Sequence, residues 1–144
     1  MPGIVFTPFV VFSFASLFVL GALGGWPERR GAVLLVGILL LTPFIETYTV
    51  GGFRWAVALS SLALFVILLW MALTRDRWWL VFAAGCQLMA LATHVVALFR
   101  LDTLAWTMVS IRWFSWFFMM SIALFGAWEG RALTRIARDH RPAA

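Results

Sequence analysis

TLAWTMVSIRWFSWFFMMSIALFGAW, residues 103–128, is the stretch of this sequence that decides the fold. Among its 26 residues the only formal charge is that of Arg112. Because an α-helix rises about 1.5 Å per residue, the stretch reaches roughly 39 Å, enough to cross a hydrocarbon core of about 30 Å. It therefore predicts a membrane-spanning helix. Arg112 lies about nine residues inside that helix, near the bilayer midplane, where a guanidinium needs a carboxylate, a carbonyl or water as a partner.

The composition agrees with a membrane protein. Of 144 residues, 64% are hydrophobic and 12% are charged, and the mean hydropathy is +0.99. These values lie outside the range of soluble domains and indicate an integral membrane protein. The net charge of +5 comes from eleven arginines, most of them in short loops and the C-terminal tail. Such placement is a topology signal, so we expect no nucleic-acid partner.

The cysteine count and the first residues exclude two further features. Cys86 is the only cysteine, which excludes an intrachain disulfide and a cysteine-based metal cage. The opening MPGIVFTPF has no basic segment before its apolar stretch. We therefore expect a retained first span rather than a cleaved signal peptide.

Short breaks rich in Gly, Pro, Trp and Arg divide the chain into apolar segments. We predict an all-α polytopic bundle, one transmembrane domain over residues 1–144. Pro43 lies inside the second segment, where it should kink the helix and free a carbonyl near Leu39. Glu46 follows within one turn. The predicted spans are 4–22, 32–48, 55–73, 78–99 and 103–128, followed by a basic tail, 129–144.

The arginines predict the orientation, because short loops rich in Lys and Arg stay in the cytoplasm. With five spans, eight arginines fall on one side and two on the other. The N-terminus is then outside and the C-terminus cytoplasmic. A rival with four spans, in which the second segment is re-entrant, breaks this charge pattern. The eight are Arg29, Arg30, Arg75, Arg77, Arg131, Arg135, Arg138 and Arg141, and the two are Arg54 and Arg100.

A stripe of small and polar residues on the fourth span includes Gln87 and His94, at helical spacing. Such a stripe faces other helices, where amides and imidazoles bond across the gap. Two interpretations stay open: both residues pack helices together, or His94 is a ligand or a proton-handling group. His140 lies in the tail, so a bis-His haem within one chain is excluded. We predict no cofactor, although ligation by His94 alone stays open.

Arg112 is the centre of a second candidate group. Trp116 lies one turn beyond it, within cation–π reach. Measured by helix rise, Glu46 and His94 come near Arg112 in the outer leaflet. The group either fixes helix packing or lines a pocket for an anionic or quinone-like headgroup or a solute path. A third alternative is that Arg112 contacts a partner subunit or a lipid phosphate. The candidate residues are Glu46, Gln87, His94, Arg112 and Trp116.

Catalytic and metal motifs are absent from the sequence. It contains no glycine-rich phosphate loop, HExxH, GxSxG or paired acidic motif, so we predict neither an enzyme nor a metal site. In the tail, Leu133 and Ile136 alternate with arginines. The tail either extends the fifth helix along anionic headgroups or is a solvated, frayed end. Its candidate lipid contacts are Arg131, Arg135 and Arg138.

Two segments carry a family resemblance: ERRGAVLLVGILLLTPFIETY, residues 28–48, and TRDRWWLVFAAGCQLMALATHVVALF, residues 74–99. Together with the following helix, they resemble a group of small polytopic inner-membrane proteins of alphaproteobacteria to which no function is assigned. The resemblance covers residues 28–124 and depends most on Gln87 and His94. It implies membership of that group, without an activity.

The expected function follows from the small size of the chain and from its many large apolar side chains. The chain has 14 Phe, 9 Trp and 6 Met, more than five helices can bury among themselves. We expect an accessory or assembly subunit of a larger complex in a bacterial inner membrane, with the bilayer and other subunits, or its own copies, as partners. One alternative is an oligomeric transporter or pore for small solutes or ions that uses Glu46, His94 and Arg112. Another is a quinone- or cofactor-binding membrane protein.

Overall fold

The computed structural model describes residues 3–50, 53–99 and 105–139. Three predicted features lie outside them: the turn at Gly51 and Gly52, the connection with Arg100 and Asp102, and the end of the tail with His140. The described chain is all-α, as predicted. Its helices are α1 (Gly3–Leu23), α2 (Trp26–Ile45), α3 (Trp55–Arg75), α4 (Trp78–Leu98) and α5 (Ala105–Asp139).

Three of the helices have the length and composition of membrane spans. They are α3, α4 and the segment Trp106–Ile136 of α5, with mean hydropathies of 2.5, 1.8 and 1.5. α1 contributes a shorter apolar segment, Thr7–Leu23. α2 carries three charged residues, Glu28, Arg29 and Arg30, in its first turns. Only the rest of this helix is uncharged. The three apolar helices support the prediction of a membrane protein.

α2 begins earlier than the predicted span, at Trp26 instead of residue 32. Pro27 occupies the first turn, where its fixed φ suits a helix and its missing N–H costs no hydrogen bond. Glu28 follows at the positive end of the helix dipole, which favours a carboxylate. The segment GGWPERRG is therefore a short turn followed by helix, and the charged residues belong to the bundle.

α5 runs beyond the predicted end of its span, to Asp139. Its 35 residues correspond to about 52 Å of helix. Arg131 and Arg135 are exposed along this extension. Of the two interpretations of the tail, the described part follows the helical one.

The helices form a closed ring in which each packs on its neighbours in the chain and α5 packs on α1; α2 also contacts α5. The apolar core lies toward the end of the bundle where α2 and α4 begin. On α2, for example, the buried residues are Glu28, Gly31, Ala32 and Leu35, all in its N-terminal half. The core consists of Leu17, Leu20, Ala32, Leu35, Leu64, Leu68, Met71, Trp79, Leu80, Ala83, Ala84, Met119, Met120, Ala123 and Ala127.

Candidate functional site

Gln87 and His94 join α4 to α3 through Ser61. The amide Nε2 of Gln87 donates to the Ser61 carbonyl at 3.2 Å, and the Ser61 hydroxyl lies 3.3 Å from Nε2 of His94. Both predicted residues are buried, at 5% and 6% exposure. They project inward from α4 because they are seven residues apart, two helical turns. Both contacts join α4 to α3, as expected if Gln87 and His94 pack helices together.

Arg112 is half-buried on α5, at the end of the bundle opposite the apolar core. It lies close enough to His94, Glu46 and Arg54 for electrostatic interaction. Glu46 forms an ion pair with Arg54, across the connection between α2 and α3, and both side chains are about half exposed. The structure thus brings three of the predicted residues, Glu46, His94 and Arg112, to one end of the bundle. Arg54 lies with them. Among the described residues at this end, the two arginines outnumber the one carboxylate, that of Glu46.

Trp116 connects α5 to α1. Its indole N–H donates to the Ser13 hydroxyl at 3.0 Å, and that hydroxyl donates to the Phe9 carbonyl at 2.9 Å. Among the described residues, the cation–π contact joins Arg30 and Trp26 instead of Arg112 and Trp116, with the Arg30 guanidinium 5.4 Å from the ring centre of Trp26. Trp116 therefore acts between helices.

A second polar group, which we call the Glu28 cluster, lies at the core end of the bundle. It consists of Glu28 on α2, Arg77 before α4, Trp79 on α4 and Glu129 on α5. Glu28 is fully buried, and its Oε1 lies 3.4 Å from Nε of Arg77. Neither carboxylate oxygen of Glu28 makes a hydrogen bond within the described residues. This ion pair therefore depends on charge attraction away from water, where attraction and desolvation are both large.

Glu129 holds the start of α4. Its two carboxylate oxygens accept the backbone N–H groups of Trp78 and Trp79, at 3.1 and 3.2 Å. Arg77, the residue immediately before α4, forms no side-chain hydrogen bond that caps this helix. The carboxylate of α5 thus satisfies two of the free N–H groups of α4 and lies at the positive end of its dipole. Glu129, 50 residues from Trp79 in the chain, therefore caps α4.

Glycines make room for the buried acid where the ends of three helices meet. A Cβ atom on Gly24 would lie 2.2 Å from Cβ of Glu28, and one on Gly130 would lie 3.3 Å from its Cδ. The Cβ on Gly130 would also lie 3.5 Å from Cα of Gly24. The backbones of α1 and α5 therefore approach closely beside the start of α2, with the Glu28 side chain between them.

The Trp79 ring fills the centre of the same end and is fully buried. It lies between α2 and α5, because a Cβ on Gly31 would be 2.4 Å from its Cη2 and one on Gly126 would be 2.7 Å from its Cγ. Its indole nitrogen makes no hydrogen bond among the residues that the structure describes. Packing against α2 and α5 therefore holds the ring in place.

The sequence pattern does not single out the Glu28 cluster. Glu28 lies in a segment that predicts a loop, and Glu129 lies at the predicted start of the tail. One signal is present: Gly24 and Gly31 lie four residues before and three residues after Glu28, and Gly126 lies three residues before Glu129. Glycine at such positions permits close helix approach, and an acid among them is then placed in the interface.

No family model, curated protein or solved structure matches this chain. The resemblance carried by residues 28–124 therefore stays a prediction. In the described part of the chain, no group of three or more His, Cys, Asp or Glu side chains could hold a metal ion. Among the described residues, the end with Arg112 carries more cations than carboxylates and suits an anion. The Glu28 cluster joins three helices, α2, α4 and α5, and suits a structural role.

Proposed function

We propose that the chain is an accessory or assembly subunit of a larger complex in a bacterial inner membrane. The observation that carries this proposal is an outward aromatic surface on α5, which we call the α5 aromatic face. It consists of Phe114, Phe118, Phe125 and Trp128, all exposed in the single chain. Their spacing of four, seven and three residues places them on one side of the helix.

Neighbouring rings of this face are ordered against one another. Phe114 and Phe118 stack with centroids 6.5 Å apart, and Phe125 and Trp128 lie 5.6 Å apart. Trp and Tyr are the side chains of spans that concentrate where the membrane meets water, and of this face only Trp128 is of that kind, whereas Phe114 and Phe118 lie well inside α5. Rigid aromatic residues are also the usual anchors of protein interfaces. Ser121, between the two pairs, leaves room for another helix to approach closely.

Photo-crosslinking tests this proposal. A photoreactive benzoylphenylalanine in place of Phe118 should give a discrete adduct with another membrane protein in native membranes. Phe82 on α4 is the matched control, because its exposure is 54% and that of Phe118 is 55%. The same replacement there should yield lipid adducts only. Lipid adducts alone at both positions would refute the subunit proposal, and an adduct of the chain with itself would favour an oligomer.

We further propose five spans with the N-terminus outside and the C-terminus in the cytoplasm. The arginine distribution supports this orientation. The Glu28 cluster agrees with it, since residues 24–28, 75–79 and 129–131 meet at one end of the bundle. The Glu46–Arg54 pair lies at the other end.

Labelling of single cysteines tests the orientation. In a Cys86→Ser background, Thr49→Cys should react with a membrane-impermeant maleimide added to intact spheroplasts. Arg135→Cys should react only after the membrane is permeabilised, because α5 then ends in the cytoplasm. Both residues are exposed, so burial does not limit the reaction. Labelling of Arg135→Cys in intact spheroplasts would show that the C-terminus is outside, opposite to the proposed orientation.

A second candidate function rests on the excess of cations over carboxylates among the described residues around Arg112. Under this alternative, copies of the chain form a transporter or pore for small solutes or ions, with Glu46, His94 and Arg112 on the pathway. A variant of the same idea has the group bind a quinone-like or anionic headgroup. An interior arginine beside a histidine favours an anionic solute or headgroup over a cation. Self-adducts from Phe118 would favour the oligomeric form.

A further inference from the structure

A basic pocket lies where α2 begins and α3 ends. It is lined by Trp26, Pro27, Arg30 and Arg75 and has a volume of about 210 Å³. Both arginine side chains are exposed, and so is Trp26. The pocket is separate from the Arg112 group, which lies at the opposite end of the bundle.

The charges around this pocket are mostly positive. Arg30 and Arg75 form no ion pair within the described residues, where the ion pairs are Glu46–Arg54 and Glu28–Arg77. The acidic groups nearby are Asp76, exposed beside Arg75, and Glu28, which is buried and faces Arg77. Two guanidinium groups therefore line one pocket without a carboxylate of their own.

Trp26 orders one of these cations. The guanidinium of Arg30 lies over its ring, which leaves the edge of the guanidinium free to donate hydrogen bonds. Trp26 is one of several tryptophans at this end of the bundle, with Trp78 and Trp128, and all three are exposed. Exposed tryptophans at the end of a span lie at the depth of lipid headgroups. The pocket is thus at the depth where phosphate groups are found.

The chemistry of the pocket suits a phosphate. Guanidinium groups bind phosphate oxygens through paired hydrogen bonds, which an ammonium group cannot do. The pocket also lies at the start of α2, where the positive end of the helix dipole favours an anion. Basic pockets between helices on the cytoplasmic side of membranes are suited to anionic headgroups.

We propose that this pocket binds the phosphate of an anionic phospholipid, with Arg30 and Arg75 as its ligands. The proposal rests on the orientation proposed above, which places this end of the bundle at the cytoplasmic surface, and is independent of the subunit function. It differs from the contacts predicted for Arg131, Arg135 and Arg138, which belong to the C-terminal part of α5. An occupied pocket would tie the start of α2 to the end of α3.

Native mass spectrometry of the detergent-purified chain tests the proposal. Phosphatidylglycerol should be retained in preference to phosphatidylcholine with the same acyl chains. Arg30→Gln should weaken that retention about tenfold, because it removes charged hydrogen bonds to the phosphate. Arg75→Gln should act in the same direction. Arg29→Gln is the matched control, since it removes the same charge from the adjacent exposed position outside the pocket.

Three outcomes decide the matter. Loss of retention in Arg30→Gln and Arg75→Gln, but not in Arg29→Gln, supports the lipid site. Displacement of the lipid by inorganic phosphate at constant ionic strength, dependent on Arg30, retains the phosphate chemistry but identifies free phosphate as its source. Equal effects of Arg29→Gln and Arg30→Gln, or equal retention of the two lipids, would overturn the proposal.

Discussion

Trp79→Ala is expected to lower the free energy of unfolding by about 3–5 kcal/mol, the usual cost of truncating a large buried aromatic residue. The ring is fully buried and lies between α2 and α5. Its removal leaves a cavity at the end of the bundle where the apolar core is concentrated. Titration with dodecyl sulfate in mixed micelles measures the loss.

The glycines on either side of the ring test the same contact from the opposite direction. Gly31→Ala and Gly126→Ala should each cost about 1–3 kcal/mol, because the new methyl groups overlap the rigid indole ring. Gly37→Ala and Gly85→Ala are the controls, since nothing lies within 4 Å of the added Cβ at either position. They should be neutral or slightly stabilising, as alanine favours the helix. Equal effects at all four glycines would show that the ring is not wedged between α2 and α5.

Arg77→Gln is expected to have an effect of similar size, about 3–5 kcal/mol, because it leaves the buried charge of Glu28 without compensation. The double variant Glu28→Gln/Arg77→Gln should lose less than the single variant Arg77→Gln, since no bare carboxylate then stays buried. The same unfolding titration measures both. This non-additivity is the signature of a coupled pair.

The control for this experiment is Arg29→Gln, at the exposed position next to Glu28 and outside the pocket. Exposed substitutions outside special features usually change stability by no more than about 0.5 kcal/mol. If Arg77→Gln resembled Arg29→Gln, the Glu28 ion pair would contribute nothing to stability. Strict additivity of the Glu28 and Arg77 variants would lead to the same conclusion.

The sequence predicts the helices well and their ends less well. Long apolar runs predict α3, α4 and α5 because hydropathy is a local property that each segment carries by itself. The start of α2 is different. Gly, Trp, Pro and three charges in succession are typical of a loop, whereas the structure continues the helix through them, because Pro27 and Glu28 both suit a first turn.

The candidate site was predictable in part. Gln87 and His94 were predicted to face other helices, and they bond to Ser61 on α3. Glu46 was predicted near Arg112, but its ion pair with Arg54 depends on how the chain returns between α2 and α3. Spacing along one helix shows which residues share a face, but not which residue of another helix meets them.

The sequence by itself determined that this is an all-helical chain with apolar segments of membrane-spanning length, because backbone and side chains in lipid must satisfy constraints that composition reveals. The tertiary structure alone decided that Glu28 is buried against Arg77, that Glu129 caps a helix 50 residues away, and that Trp79 lies between two glycines. These contacts join residues far apart in the chain, and no local pattern encodes their meeting. They exist because the helix ends come together at one end of the bundle.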